Sequence, residues 1–269
     1  MGLPGAGDVK VFLLLAALVA PGAVSAQGGG FRAGVLVPME RVKATLAKTV
    51  DNTAPNTLVP PPRRGTLVMD EGSADTWASG VGAFLGYRAP LGGSGFHVGA
   101  RVDAALHFAA VDGQLTGVGE SPGRNLLGES WPEQWTFERK RSYGLTMEIG
   151  GSPGALASMD AMLFLLGGIR LAQVELTNRF NGCMLPAGCG PSDFVSGTDT
   201  RELNHQAFTF GLGVEKGLGE GLGLRVEVSH TPYCNEQWTT PFREVGVTVP
   251  TVLDAGETGL KVGVVWRGS

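Results

Sequence analysis

Residues 96–108 read Phe-His-Val-Gly-Ala-Arg-Val-Asp-Ala-Ala-Leu-His-Phe. Every even position is apolar, from Phe96 and Val98 through Leu106 and Phe108, while the odd positions carry His97, Arg101, Asp103 and His107. A period of two belongs to a strand whose two faces meet different surroundings. The charge in mid-strand limits what those surroundings can be. A water-soluble sheet buries its apolar face in a core and leaves its charged face wet. A closed sheet in lipid does the reverse and keeps charge inside.

The same alternation recurs along the chain. It predicts about eight strands, near residues 31–48, 76–90, 96–108, 136–150, 157–178, 204–216, 222–233 and 256–267. The first is the least regular, with Pro38 inside it, and the centre of the fifth, Met162 to Leu166, is apolar on both faces, so the facing of these two stays open. Short Gly-rich turns are expected at 91–95, 151–154 and 217–221, because tight hairpins need positive φ. Long segments rich in Pro, Gly, Asn, Ser and Thr fall at 49–75, 112–135, 179–203 and 234–255. Short and long connections therefore alternate around an up-and-down antiparallel meander.

The formal net charge is −4 and there is no basic run, which argues against a nucleic-acid partner. Residues 1–26 have the pattern of a secretory signal: Lys10, an apolar stretch from Val11 to Ala20, and Val24-Ser25-Ala26 as a small-x-small cleavage site. The expected mature domain is 27–269. Past residue 26 no apolar run approaches the about 18 residues of a membrane helix. In an exported chain Cys183 and Cys189, which flank Met-Leu-Pro-Ala-Gly, are expected to close a small disulfide loop. Cys234 is left over, and no cluster of His and Cys has the spacing of a metal site.

By strand pattern and loop alternation, residues 27–269 resemble the small eight-stranded outer-membrane barrels of the OmpA/OmpX type. The resemblance is architectural and rests on no sharp motif. It implies short periplasmic turns, four long extracellular loops and a place in the bacterial outer membrane after export through the secretory pathway. It also implies contact with outer-membrane lipid and lipopolysaccharide, insertion by the barrel-assembly machinery, and no cofactor. Such family members end in an aromatic residue; Trp266 is the last one here. Trp77, Tyr87, Phe96, Phe108, Tyr143, Phe208 and Trp266 fall mostly at predicted strand ends, where interfacial girdles belong.

An interior only wide enough for side chains is expected to hold Arg88, Arg101, Asp103, Glu148, Glu215, Arg225, Glu227 and Lys261. Charges out of water need partners. The expected pairs join neighbouring strands: Arg88 with Asp103, Arg101 with Glu148, Glu215 with Arg225, and Glu227 with Lys261. Such a plug favours a structural or surface-interaction role over conduction.

No residue is assigned a catalytic role. Outer-membrane lipid A deacylases use a His and a Ser two residues apart on one strand face, but Ser229 and Thr231 sit on the face opposite His230, and position 232 is Pro. His97 and His107, roughly 34 Å apart along one strand, cannot share a metal. Glu129 to Trp135 is the expected surface-contact segment, or a flap folded over the barrel mouth. Two alternatives remain. One is a narrow channel or small-ligand transporter with ten or more strands, if the long segments hide strands such as Val245–Val249. The other is a secreted lipocalin-like barrel with its apolar face inward, holding a hydrophobic ligand.

Overall fold

The computed structural model describes residues 29–92, 95–119, 126–183, 190–219 and 221–268. The predicted signal segment, residues 1–26, lies outside them. The strands are β1 (Gly30–Asp51), β2 (Leu67–Pro90), β3 (Phe96–His107), β4 (Ala110–Leu115), β5 (Glu133–Gly151), β6 (Ala161–Gly182), β7 (Val195–Gly219), β8 (Leu222–Pro232), β9 (Glu236–Phe242) and β10 (Val247–Arg267). All pairings are antiparallel. β1 pairs with β10 and closes a ring of eight strands in the order β1-β2-β3-β5-β6-β7-β8-β10. β4 continues the position of β3 against the far half of β5, and β9 continues that of β8 against the far half of β10. The segments expected to be long loops do hide strand, but it lengthens the barrel and leaves the ring at eight.

No helix among the described residues is long and apolar enough to cross a membrane. The strands carry the apolar surface instead. Outward positions are apolar in one continuous belt: Phe31 to Met39 on β1, Trp77 to Tyr87 on β2 with Ser79 as its polar exception, Phe96 to Leu106 on β3, Tyr143 to Ile149 on β5. The belt continues through Leu163 to Leu171, Phe208 to Val214, Leu222 to Val228 and Leu260 to Trp266. From Trp77 to Tyr87 the strand runs about 33 Å, or about 25 Å of height at a tilt of about 40°. Trp77, Phe108, Tyr143 and Phe208 rim one edge, and Phe31, Tyr87, Phe96 and Trp266 rim the other. Leu85 is 64% exposed, whereas the charged Arg225 and Glu227 are 1% and 0% exposed. This is the inverted arrangement of a lipid-facing barrel. An Arg at the outward Val102, halfway along the belt on β3, is expected to cost about 2–4 kcal/mol in a lipid-bilayer refolding titration. Ser73→Arg, on the wet outer wall of β2, is expected to cost almost nothing there.

Beyond the upper rim the polarity reverses within the same strands. On β1 the outward residues change from Val37 and Met39 to Arg41 and Lys43, and the inward ones from Glu40 to Val42, Ala44 and Leu46. The inward side chains now form a dry core of Val42, Leu46, Val111, Leu115, Trp135, Phe137, Val174, Leu176 and Leu253. The molecule is thus inside-out in its lower half and right-side-out in its upper half. On the outer wall just above the belt, Arg41 Nε donates to Asp75 Oδ2 at 2.8 Å, and this bond holds the Asp75 carboxyl below its ordinary range.

The short connections lie at the belt end of the barrel. Between β7 and β8, Gly219 and Gly221 take φ of 93° and 76°, which only glycine adopts without strain. The connection from β5 to β6 is longer than predicted: after Pro153-Gly154 the residues Ala155–Ser158 form one helical turn, so β6 begins at Ala161 and not near 157. Pro38 does not interrupt β1, and its even-numbered residues point inward, as do Met162, Phe164 and Leu166 of β6.

Candidate functional site

The interior has three levels: a charged plug inside the belt, the dry core above it, and a cavity at the wide mouth. In the plug Arg88, Arg101, Arg139, Arg170, Arg225 and Lys261 meet Glu40, Asp103, Glu148, Glu215, Glu227 and Glu257, and Arg32 and Arg267 join from the lower end through Glu215. The side chains of Arg88, Arg101, Asp103, Glu148, Glu215, Arg225, Glu227 and Lys261 are all buried in the lumen. The partners differ from expectation in two pairs out of four. Arg225 reaches Glu215 at 3.3 Å and Arg101 reaches Glu148 at 3.4 Å, as expected. Arg88 does not meet Asp103. Its register partner on β3 is Gly99, four residues from Asp103, and it bonds instead to Glu148 at 3.3 Å and Glu215 at 3.1 Å. Glu227 and Lys261 stand opposite each other on β8 and β10 but make no pair. Arg101 and Arg225 occupy Glu227, and Lys261 turns to Glu40 at 3.5 Å.

The reason is the width of the lumen. Arg101 on β3 donates to Glu227 on β8, diametrically across the ring, at 2.5 and 2.7 Å. Arg88 to Glu215 and Arg139 to Glu257 also span opposite walls. A guanidinium is long enough to cross, and its fork grips a carboxylate with two bonds. Phe84 and Phe164 fill the remaining space, with the Arg225 guanidinium 4.0 Å from the Phe164 ring centroid. The interior glycines make room for this packing: a Cβ on Gly213 would overlap the Phe164 ring, and one on Gly34 the Phe84 ring.

His107, at the top of the plug, shares Arg139 with Glu40 and lies 2.9 Å from Ser142 Oγ. His230 lies on the outer face against Thr258 and Phe210, whereas Ser229 and Thr231 point inward. Cys183 is buried and disulfide-bonded, Cys234 is a free exposed thiol, and Cys189 lies outside the described residues.

His205 sits above the belt in the dry core. It is fully buried, edge-on to the Phe137 and Tyr233 rings, with neither ring nitrogen hydrogen-bonded. Burial pushes its imidazole down to about 4. Between the ordinary value of about 6.5 and about 4, the unfolded chain binds a proton that the folded chain refuses. Stability is therefore lost as the pH falls through that window. His205→Phe is expected to flatten this part of the pH dependence, read as the difference in urea midpoint between the variant and the parent at pH 7 and pH 4.5.

The mouth of the barrel encloses a cavity of about 580 Å³ above the core. Its walls come from the upper halves of β1, β6, β7 and β10, from β9, and from the segment 127–133. That segment folds inward, not out to the surface. Glu129 and Ser130 are buried, Trp131 lies edge-on to Phe180, Glu133 pairs with Lys48, and Trp135 is in the core. A uniform strand alternation does not mark this cavity; its signal is the switch of apolar residues from odd to even positions along β1.

No protein-family model matches the chain, and no curated protein matches it. Solved barrels are similar in outline. Ail, the attachment invasion locus protein of Yersinia pestis, aligns over 86% of this chain and 98% of its own at 11% identity, with a TM-score of 0.31. A structure of Ail with the heparin analogue sucrose octasulfate aligns over 86% and 99% at 9% identity, also at 0.31. The translocator domain of the autotransporter NalP from Neisseria meningitidis aligns over 97% and 95% at 12% identity, at 0.29. What the chain shares with them is a small closed barrel of antiparallel strands.

Proposed function

We propose that the protein is a non-enzymatic barrel of the bacterial outer membrane that seals its own lumen and offers its wide end to the exterior as an interaction surface. Residues 1–26 direct export, the barrel-assembly machinery inserts the domain, and lipid and lipopolysaccharide surround the belt. The observation that carries this reading is the pairing of an apolar outer belt with a charged, fully bridged interior. Arginines reach across a ring whose interior is only about as wide as its side chains, which speaks against the channel alternative.

Fractionation of cells expressing the full chain tests the location. The protein is expected in the washed membrane pellet, soluble only in detergent, and faster on a gel when unboiled. Recovery from the periplasm without detergent overturns the reading. In planar bilayers the purified protein is expected to give no conductance steps, and stable steps would contradict a sealed lumen.

A further inference from the structure

We infer that the cavity at the mouth binds a small, neutral, largely apolar molecule. The site stands on the upper half of the barrel alone, so it can fail without touching the membrane reading above.

Volume comes first. About 580 Å³ lies within the range of small-molecule sites, and here it is lined by Leu46, Leu176, Phe180, Trp238, Phe242 and Val247 among others. Apolar walls left open at the end of a dry core mark a place where something apolar sits. Below, the core and the plug close the barrel, so a molecule entering from the mouth stops there.

The charges set the ligand's own charge. Each charged side chain on the cavity wall already has an opposite partner. Lys48 pairs with Glu133, Glu129 with Arg63, and Arg201 with Asp199 at 3.4 Å. The Arg201 guanidinium also lies 4.9 Å from the Trp238 ring centroid. An anion or cation entering this cavity would have to break one of these pairs while giving up its own hydration. A neutral molecule does neither.

Two probes that share one skeleton separate these requirements. N-phenyl-1-naphthylamine is neutral, and 8-anilino-1-naphthalenesulfonate adds an anion. Binding to the full barrel in lipid nanodiscs is measured by fluorescence, with empty nanodiscs subtracted. The amine is expected to bind saturably, and the sulfonate about tenfold more weakly. Thr240→Trp, which fills the cavity from the half-exposed β9, is expected to abolish saturable binding while the unboiled protein keeps its fast gel mobility. Absence of saturable signal above empty nanodiscs overturns the inference. So does undiminished binding to Thr240→Trp, or a sulfonate that binds as well as the amine.

Discussion

Glu227→Gln is expected to lower the unfolding free energy by about 3–5 kcal/mol, more than any outward substitution. Glu227 is fully buried and accepts two bonds from Arg101 and one from Arg225 Nε at 2.7 Å. Gln keeps the shape and loses the charge. The two guanidiniums then face each other across the lumen with one carboxylate too few. The double variant Arg101→Met/Glu227→Leu removes one charge of each sign, and Arg225 keeps Glu148 and Glu215. It is expected to recover much of the loss, because replacing a whole buried pair by apolar groups costs far less than orphaning one partner. Lys261→Met added to Glu227→Gln is expected to rescue nothing, since Lys261 lies on Glu40. Urea titrations of all four proteins in lipid vesicles decide the matter. Equal losses in the single variant and the Arg101 double would show that the bridge across the ring does not set the stability.

The contrast between these doubles shows what the sequence could reveal. Which residues face inward was legible, because period two assigns a face without any knowledge of neighbours: Arg101, Arg225, Glu227 and Lys261 all lie where alternation puts them. Which of them meet was only half legible. Adjacent strands can be read from turn order, and that sufficed for Glu215 with Arg225. Contacts between opposite walls depend on the curvature of the closed ring and on the reach of arginine, neither of which is written in any local pattern. Arg101 with Glu227 is the clearest case.

The upper half was misread for a different reason. On β1 the apolar residues move from Val37 and Met39 to Val42 and Leu46, a change of phase that looks like irregularity if one face is assumed to be apolar throughout. It is a change of solvent along one strand. Below the rim the outside is lipid; above it the outside is water, and the apolar residues move to the interior. Apolar residues face outward in one half of the barrel and inward in the other. Leu203 and Trp238 fall in expected loops because their strands carry this second phase.

Trp135→Ala probes that division. The indole is 1% exposed among Leu46, Val111, Phe137 and Leu253, and it packs so closely on Gly113 that a Cβ there would overlap the ring. Removing so large a side chain from a dry core costs about 3–5 kcal/mol. The loss falls on one level only. The plug holds the lower half through ion pairs that Trp135 does not touch, and lipid holds the belt. The expected result is a barrel that still inserts and still runs fast when unboiled. Its upper strands, by contrast, become open to trypsin at Lys43 and Lys48. Binding of N-phenyl-1-naphthylamine at the mouth is lost in parallel, because the core that floors the cavity has gone. Loss of insertion together with loss of the upper half would show that the two interiors fold as a single cooperative unit, and the boundary at the rim would then be one of polarity alone.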